Sequence, residues 1–191
     1  MSEPFGRYLN VIDVEATCWD GPTPPGETNE IIEIGVCVVD LHERRRVDRA
    51  GILVRPERSR VSDFCTRLTG ITQSEVNAGV SFREACLELE RSFRSASRAW
   101  ASWGEYDRRQ FERQCGAARV PYPFSARHTN AKLAFQHAHA LRTKLGMDGA
   151  LAHARLPLQG RHHRGVDDAW NIAALVLHLI ERDGWPAYPE P

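Results

Sequence analysis

Lysine is nearly missing from this chain. Only Lys132 and Lys144 are lysines; every other base among the 25 Lys and Arg residues is arginine. Arginine suits bidentate phosphate contacts, although a GC-rich genome produces the same bias. Net charge is missing too, because 25 acids balance the bases. A whole-protein basic field, the footprint of a duplex-coating protein, is therefore excluded. No apolar run approaches 18 residues, so no membrane span is expected. Residues Met1 to Arg7 lack the basic-then-apolar pattern of a secretory signal. No two of the five cysteines, Cys18, Cys37, Cys65, Cys86 and Cys115, lie within four residues of each other. That spacing argues against a Cys-x-x-Cys zinc or redox site, and with the odd number it fits buried thiols in a reducing compartment. A cytoplasmic location is expected. No repeat, low-complexity segment or linker divides the chain. One domain over residues 1–191 is expected, with a core of about 8–182 and short flexible termini.

What is present starts with an apolar strand carrying two acids, Val11 to Thr17. Side chains alternate along a strand, so Leu9, Val11, Asp13 and Glu15 share one face. Trp19 to Gly26 reads as a loop. Glu30 to Asp40 is apolar on both faces, as a central strand is. A third strand, about Arg46 to Arg55, completes an antiparallel meander. A short helix over Ser62 to Leu68 ends at Gly70. Thr72 with Glu75, and Ser81 with Glu84, are capping boxes, the second opening a helix through about Ser95. Trp100 to Trp103 and Arg127 to Asn130 are further strands. Helices are expected over Glu105–Ala118, Ala131–Leu145, Met147–Ala154 and about Val166–Arg182. The fold class is α/β: a mixed five-stranded sheet of three antiparallel strands, then alternating helices and strands, flanked by helices.

Two more acids fall on inward faces. Asp107 shares helical spacing with Phe111, Cys115 and Ala118 and follows the end of a strand, where α/β folds place ligands. Asp168 leads the apolar stripe Ile172, Leu175 and Leu179. Asp167 leads the more polar Asn171, Ala174 and His178, and is read as a solvated first-turn acid or cap. Asp13, Glu15, Asp107 and Asp168 are hard oxygen donors suited to Mg²⁺ or Mn²⁺. Two such ions can activate water and stabilise a leaving oxygen in phosphodiester hydrolysis. A neutral histidine could take the water's proton, and His162 and His163 precede Asp168. His137, His139 and His153 carry no ligand geometry and are read as structural, as is His162 once His163 is chosen below.

These residues resemble the DEDDh 3′→5′ exonuclease family, whose fold is RNase H-like. Asp13-Val14-Glu15 is similar to its Asp-x-Glu motif, and Glu105-Tyr106-Asp107 to its second motif. The third, His-x4-Asp, fits two frames, His162 with Asp167 and His163 with Asp168. The inward face of Asp168 favours the second, as does its likeness to the His-x-Gly-x-Asp-Asp form of the Eri-type RNA exonucleases. Asn29 to Glu33, Leu68 to Thr72, Lys144 to Met147 and Gly160 to Asn171 also resemble that subgroup. The likeness runs from about Tyr8 to Ile180.

The resemblance implies metal-dependent 3′→5′ release of nucleoside 5′-monophosphates from the 3′ end of single-stranded or 3′-overhanging nucleic acid, with RNA favoured over DNA. It implies two divalent ions, Mg²⁺ or Mn²⁺, on Asp13, Glu15, Asp107 and Asp168, and His163 as general base. It places Leu68, Thr69 and Ile71 near the terminal base and sugar, and Ala16 and Thr17 near the 3′-hydroxyl. Core packing explains Leu68 and Ile71 equally well. Trp19 could stack on a base or be a surface-loop tryptophan. Arg161 and Arg164 could grip phosphate or be solvated at a helix start. Rival functions are an oligoribonuclease-like phosphodiesterase of small nucleotides and a non-catalytic RNA-binding module.

Overall fold

A computed structural model describes residues 6–186; the outermost parts of the expected termini lie outside the described residues. Strands β1 (Tyr8–Ala16), β2 (Ile31–Asp40) and β3 (Arg45–Leu53) form the antiparallel meander. Two short strands, β4 (Ala99–Ser102) and β5 (His128–Asn130), extend it in parallel from β1. The order is β3-β2-β1-β4-β5, the mixed five-stranded sheet that the pattern of elements implies. Every residue of β2 is buried, as a strand apolar on both faces must be.

Helices cover both sides. On one face, Ile12 and Val14 pack with Leu89 of α3 (Phe82–Phe93) and Phe111 of α4 (Tyr106–Ala118). On the other, Leu9 and Val11 pack against α7 (Gly165–Ile180), whose Ile172, Leu175, Val176 and Leu179 are fully buried. Burying such side chains contributes roughly 1.5–3 kcal/mol each before entropy is counted, which locks α7 to the sheet. Both capping boxes form, Thr72 with Glu75 at the start of α2 (Gln73–Asn77) and Ser81 with Glu84 at α3. Before them, α1 (Asp63–Thr69) is capped by Ser62 and ended by a left-handed Gly70.

Two expectations are corrected. The helix expected over Ala131–Leu145 stops early: α5 is Ala131–Ala138, and Ala140 turns left-handed. The chain must turn there because Trp103 Nε1 donates to the Leu145 carbonyl at 3.2 Å, tying that segment to the end of β4. Helix α6 (Met147–Ala154) then restarts at the expected place. The Asp167 stripe of α7 is also less solvated than its polarity suggests. Asn171 and His178 are buried, and Asp167 accepts the Arg161 N–H at 2.9 Å and stands 3.8 Å from Arg49. Among the described residues, no helix is long and apolar enough to cross a membrane. All five cysteines are free.

Candidate active site

Strand β1 pairs with β4 only as far as Val11 opposite Ala101. Beyond that point β1 continues alone beside β2, and the sheet opens on one side. Asp13 and Glu15 stand on this stretch, on the face covered by α7. What lies opposite them on β2 sets the site. Gly35 is paired with Asp13, and a Cβ on Gly35 would lie 1.8 Å from the Gly165 carbonyl oxygen. Glycine is therefore required for space, and the first turn of α7 lies directly on the sheet. Glu33, paired with Glu15, is buried and accepts the Gly165 N–H at 2.7 Å and Arg164 Nη2 at 3.1 Å. No side chain of the N-cap Arg164 caps α7, so a carboxylate from the neighbouring strand satisfies the helix start and complements its dipole.

Asp168 follows one turn later. Its carboxylate, with those of Asp13 and Glu15, offers three ligand atoms all within 4.8 Å of one another. Asp107 comes from the opposite face of the sheet, since α4 packs with the Ile12 and Val14 side. It reaches the gap left by β4 and accepts the Val14 N–H at 2.9 Å. It lines the same cleft but stands outside the three-acid group.

The acids pay heavily for their proximity. Burial, then Asp107 and Glu15, hold the Asp13 carboxyl well above the usual carboxylate range. Burial, then Asp168, pushes Glu15 up to about 8. Burial raises Asp107 to about 6, against the lowering hydrogen bond from Val14. Burial also raises Asp168, opposed by His162. Three converging oxygen donors that repel one another are a fit for a hard divalent cation, which removes the repulsion and satisfies the lone pairs.

Both histidines enter the cleft. His162 Nδ1 lies 3.2 and 3.1 Å from the two Asp168 oxygens, so the structural reading of His162 is corrected: its ring contacts the last acid. His163 donates its backbone N–H to Asp168 at 2.9 Å and takes a left-handed backbone, φ 65°. That bond helps hold a conformation costing about 1–2 kcal/mol outside glycine. The two rings stack 4.0 Å apart. Burial, then His162, lowers the His163 pKa, which favours the neutral ring.

The remaining expected contacts divide. Ala16 and Leu68 line the cleft, whose volume is about 390 Å³. Thr17, Thr69 and Ile71 are fully buried. The Thr17 hydroxyl donates to the Thr28 carbonyl and accepts the Glu30 N–H, Thr69 bonds the Cys65 carbonyl, and Ile71 packs with Ile32 and Val76. Their side chains are committed to the fold. Trp19 and Arg164 do not line the cleft; Arg164 is held by Glu33, and Arg161 Nη2 donates to the Arg67 carbonyl.

Several residues went unassigned in the sequence. Glu33 was visible as a lone acid in a doubly apolar strand, and Gly35 as a break in a β-branched run. Tyr106, half exposed beside Asp107, lines the same cleft as Leu68. Asn29 gave no signal beyond its place in a motif.

The exonuclease family model, RNase T, matches residues 11–176. The chain is 30% identical over 190 residues to human 3′-5′ exoribonuclease 1, covering 94% of this chain and 54% of that protein. It is 30% identical to the 3′-5′ exonuclease eri1 of Schizosaccharomyces pombe, covering 93% and 69%. The chain thus spans about half the length of the human relative. Among solved structures, the nuclease domain of 3′hExo, a DEDDh family member bound to rAMP, superposes with a TM-score of 0.83 at 28% identity, covering 94% of each chain.

Proposed function

The chain belongs to the RNase T family of exonucleases, and on that premise we propose that it is a metal-dependent 3′→5′ exonuclease releasing nucleoside 5′-monophosphates from single-stranded or 3′-overhanging RNA. The observation that carries this reading is the convergence of Asp13, Glu15 and Asp168 within 4.8 Å. The names of the exoribonuclease relatives favour RNA, and the rAMP bound by 3′hExo favours a terminal nucleotide as the recognised group.

Asp13, Glu15 and Asp168 would hold divalent ions, Mg²⁺ or Mn²⁺, with Asp107 completing a two-ion set from one step further back. When bound, such ions supply charge stabilisation and an acidified water for phosphodiester hydrolysis. The protein's own groups do the rest. Leu68, Ala16 and Tyr106 give the terminal base apolar and aromatic walls. His163, in its neutral form, accepts the water's proton at a ring nitrogen. His162 orients the Asp168 carboxylate through Nδ1. Glu33 holds the α7 start, and so the spacing of both histidines and Asp168 from β1.

A time course with Mg²⁺ or Mn²⁺ on matched single-stranded RNA, single-stranded DNA and 3′-overhang duplexes tests this reading. Mononucleotides should accumulate from the first time point and chelator should stop them; early internal fragments would sink the proposal. Substituting His163→Ala should slow hydrolysis by roughly 10²–10⁴-fold, and a larger loss in His162→Ala would reassign the base.

A further inference from the structure

Asn29 is a partition. It lines the acid cleft, and it also lines a second cavity of about 120 Å³ bounded by Arg55, Arg58, Arg113 and Phe82. No other described residue lines both cavities. Its side chain is fixed on both sides. Nδ2 donates to the Thr17 carbonyl at the end of β1. Oδ1 accepts from the Tyr106 hydroxyl at 3.0 Å and from Arg113 Nη2 at 3.1 Å. Its carbonyl accepts from Gln110 Nε2 at 3.1 Å and Arg113 Nη2 at 3.0 Å. Asn29 thus stitches the end of β1 to α4 and borders both cavities.

Beside Asn29 the cleft is walled by Ala16, next to the Thr17 whose carbonyl Asn29 holds, and by Tyr106, whose hydroxyl donates to Asn29; both suit a base. A terminal nucleoside seated against these two residues lies beside the Asn29 side chain. The second cavity that Asn29 lines carries three arginines, a set that attracts phosphate. Glu57 and Glu30 share the cavity, but Glu30 is occupied by the N–H groups of Glu57, Arg58 and Ser59.

We propose that Asn29 is the stop that confines hydrolysis to a free 3′-hydroxyl end, by barring the strand from the arginine-lined cavity behind it. The proposal rests on the exonuclease reading above. It makes Asn29 a specificity-determining residue, and its removal joins two cavities that are separate in the native chain. A strand ending in a 3′-phosphate then fits, with the phosphate beside Arg113, Arg58 and Arg55. Water oxygen bonds to the phosphorus 5′ of the last nucleoside, the P–O3′ bond of the preceding residue breaks, and that 3′ oxygen takes a proton. The product is a nucleoside 3′,5′-bisphosphate and a shortened strand with a 3′-hydroxyl.

The test compares 12-residue single-stranded RNAs ending in 3′-hydroxyl or 3′-phosphate, with Mn²⁺, for the wild type, Asn29→Gly and Asn29→Ala. Wild type should prefer the hydroxyl end by about 100-fold in kcat/KM, a span a shaped pocket can supply. Asn29→Gly should narrow that preference by about tenfold, a change of about 1.4 kcal/mol in barrier difference, with bisphosphate as the first product. An active Asn29→Gly with the wild-type preference overturns the stop alone. Should that variant fail to fold, Asn29→Ala decides: it removes the same amide with an ordinary backbone and leaves all three arginines in place, so the preference should narrow, and an unchanged preference refutes the proposal. A wild type that cuts neither strand overturns the exonuclease reading and the stop together.

Discussion

Replacing Gly35 with alanine tests how the site is spaced. The added Cβ would meet the Gly165 oxygen at 1.8 Å, its carbonyl carbon at 2.0 Å and Val166 N at 2.5 Å. All three are backbone atoms, so no rotamer change relieves the clash. The first turn of α7 must retreat by roughly 1.5 Å to reach ordinary contact, and interiors resist such shifts. Retreat stretches the 2.7 Å bond from Gly165 to Glu33. Losing a hydrogen bond to a charged group costs about 1.5–3 kcal/mol, and overpacking adds about 1–3 kcal/mol. For a chain of this size, each kcal/mol lowers Tm by about 2–4 °C, so a fall on the order of 10 °C is expected. Asp168 moves with the helix. A displacement near 1 Å costs on the order of 10²-fold in rate, so kcat should fall at least that far and metal should bind more weakly. Thermal melts with and without Mn²⁺, beside single-turnover hydrolysis at saturating metal, read both effects. A Gly35→Ala protein with wild-type Tm and kcat would refute the docking of α7 as the source of site geometry.

Asp13→Ala should abolish hydrolysis while leaving the fold intact, because one member of a repelling acid group is removed; retention of full activity would overturn the metal assignment. The metal-free protein should lose stability as pH rises from about 4 to about 8. The folded carboxyls of Asp13, Glu15 (about 8) and Asp107 (about 6) hold protons that the unfolded chain releases near its ordinary carboxylate range. The folded state then binds more protons across that window, so the stabilisation present at the acid end is lost as pH increases. Mg²⁺ or Mn²⁺ should raise Tm more at pH 8 than at pH 5, and Asp13→Ala should flatten the metal-free pH profile. Equal metal shifts at both pH values would contradict the acid cluster as the binding site.

Much of this was legible in the chain itself, for physical reasons. Period-two alternation put Asp13 and Glu15 on one face of β1, and the stripe from Asp168 through Leu179 put the last acid inward. Capping boxes at Thr72 and Ser81 marked helix starts because their hydrogen bonds are local. What was not legible depends on contacts distant in sequence. The end of α5 is set by Trp103 reaching Leu145. The roles of Glu33 and Gly35 exist only because α7 arrives more than a hundred residues later. The bond from Val14 to Asp107 requires that β4 end early, which no local pattern announces. Thr17, Thr69 and Ile71 sit within resembling motifs, yet their side chains turn into the fold, since a motif records which residues recur and not which way each one faces.

The position of α7 has a consequence in time. Asp13 and Glu15 lie on the first strand and are made well before Asp168, which lies on the last helix of the described residues. Neither acid of β1 has its third partner until α7 has left the ribosome and docked on Gly35. Assembly of the acid cluster is therefore coupled to completion of this fold.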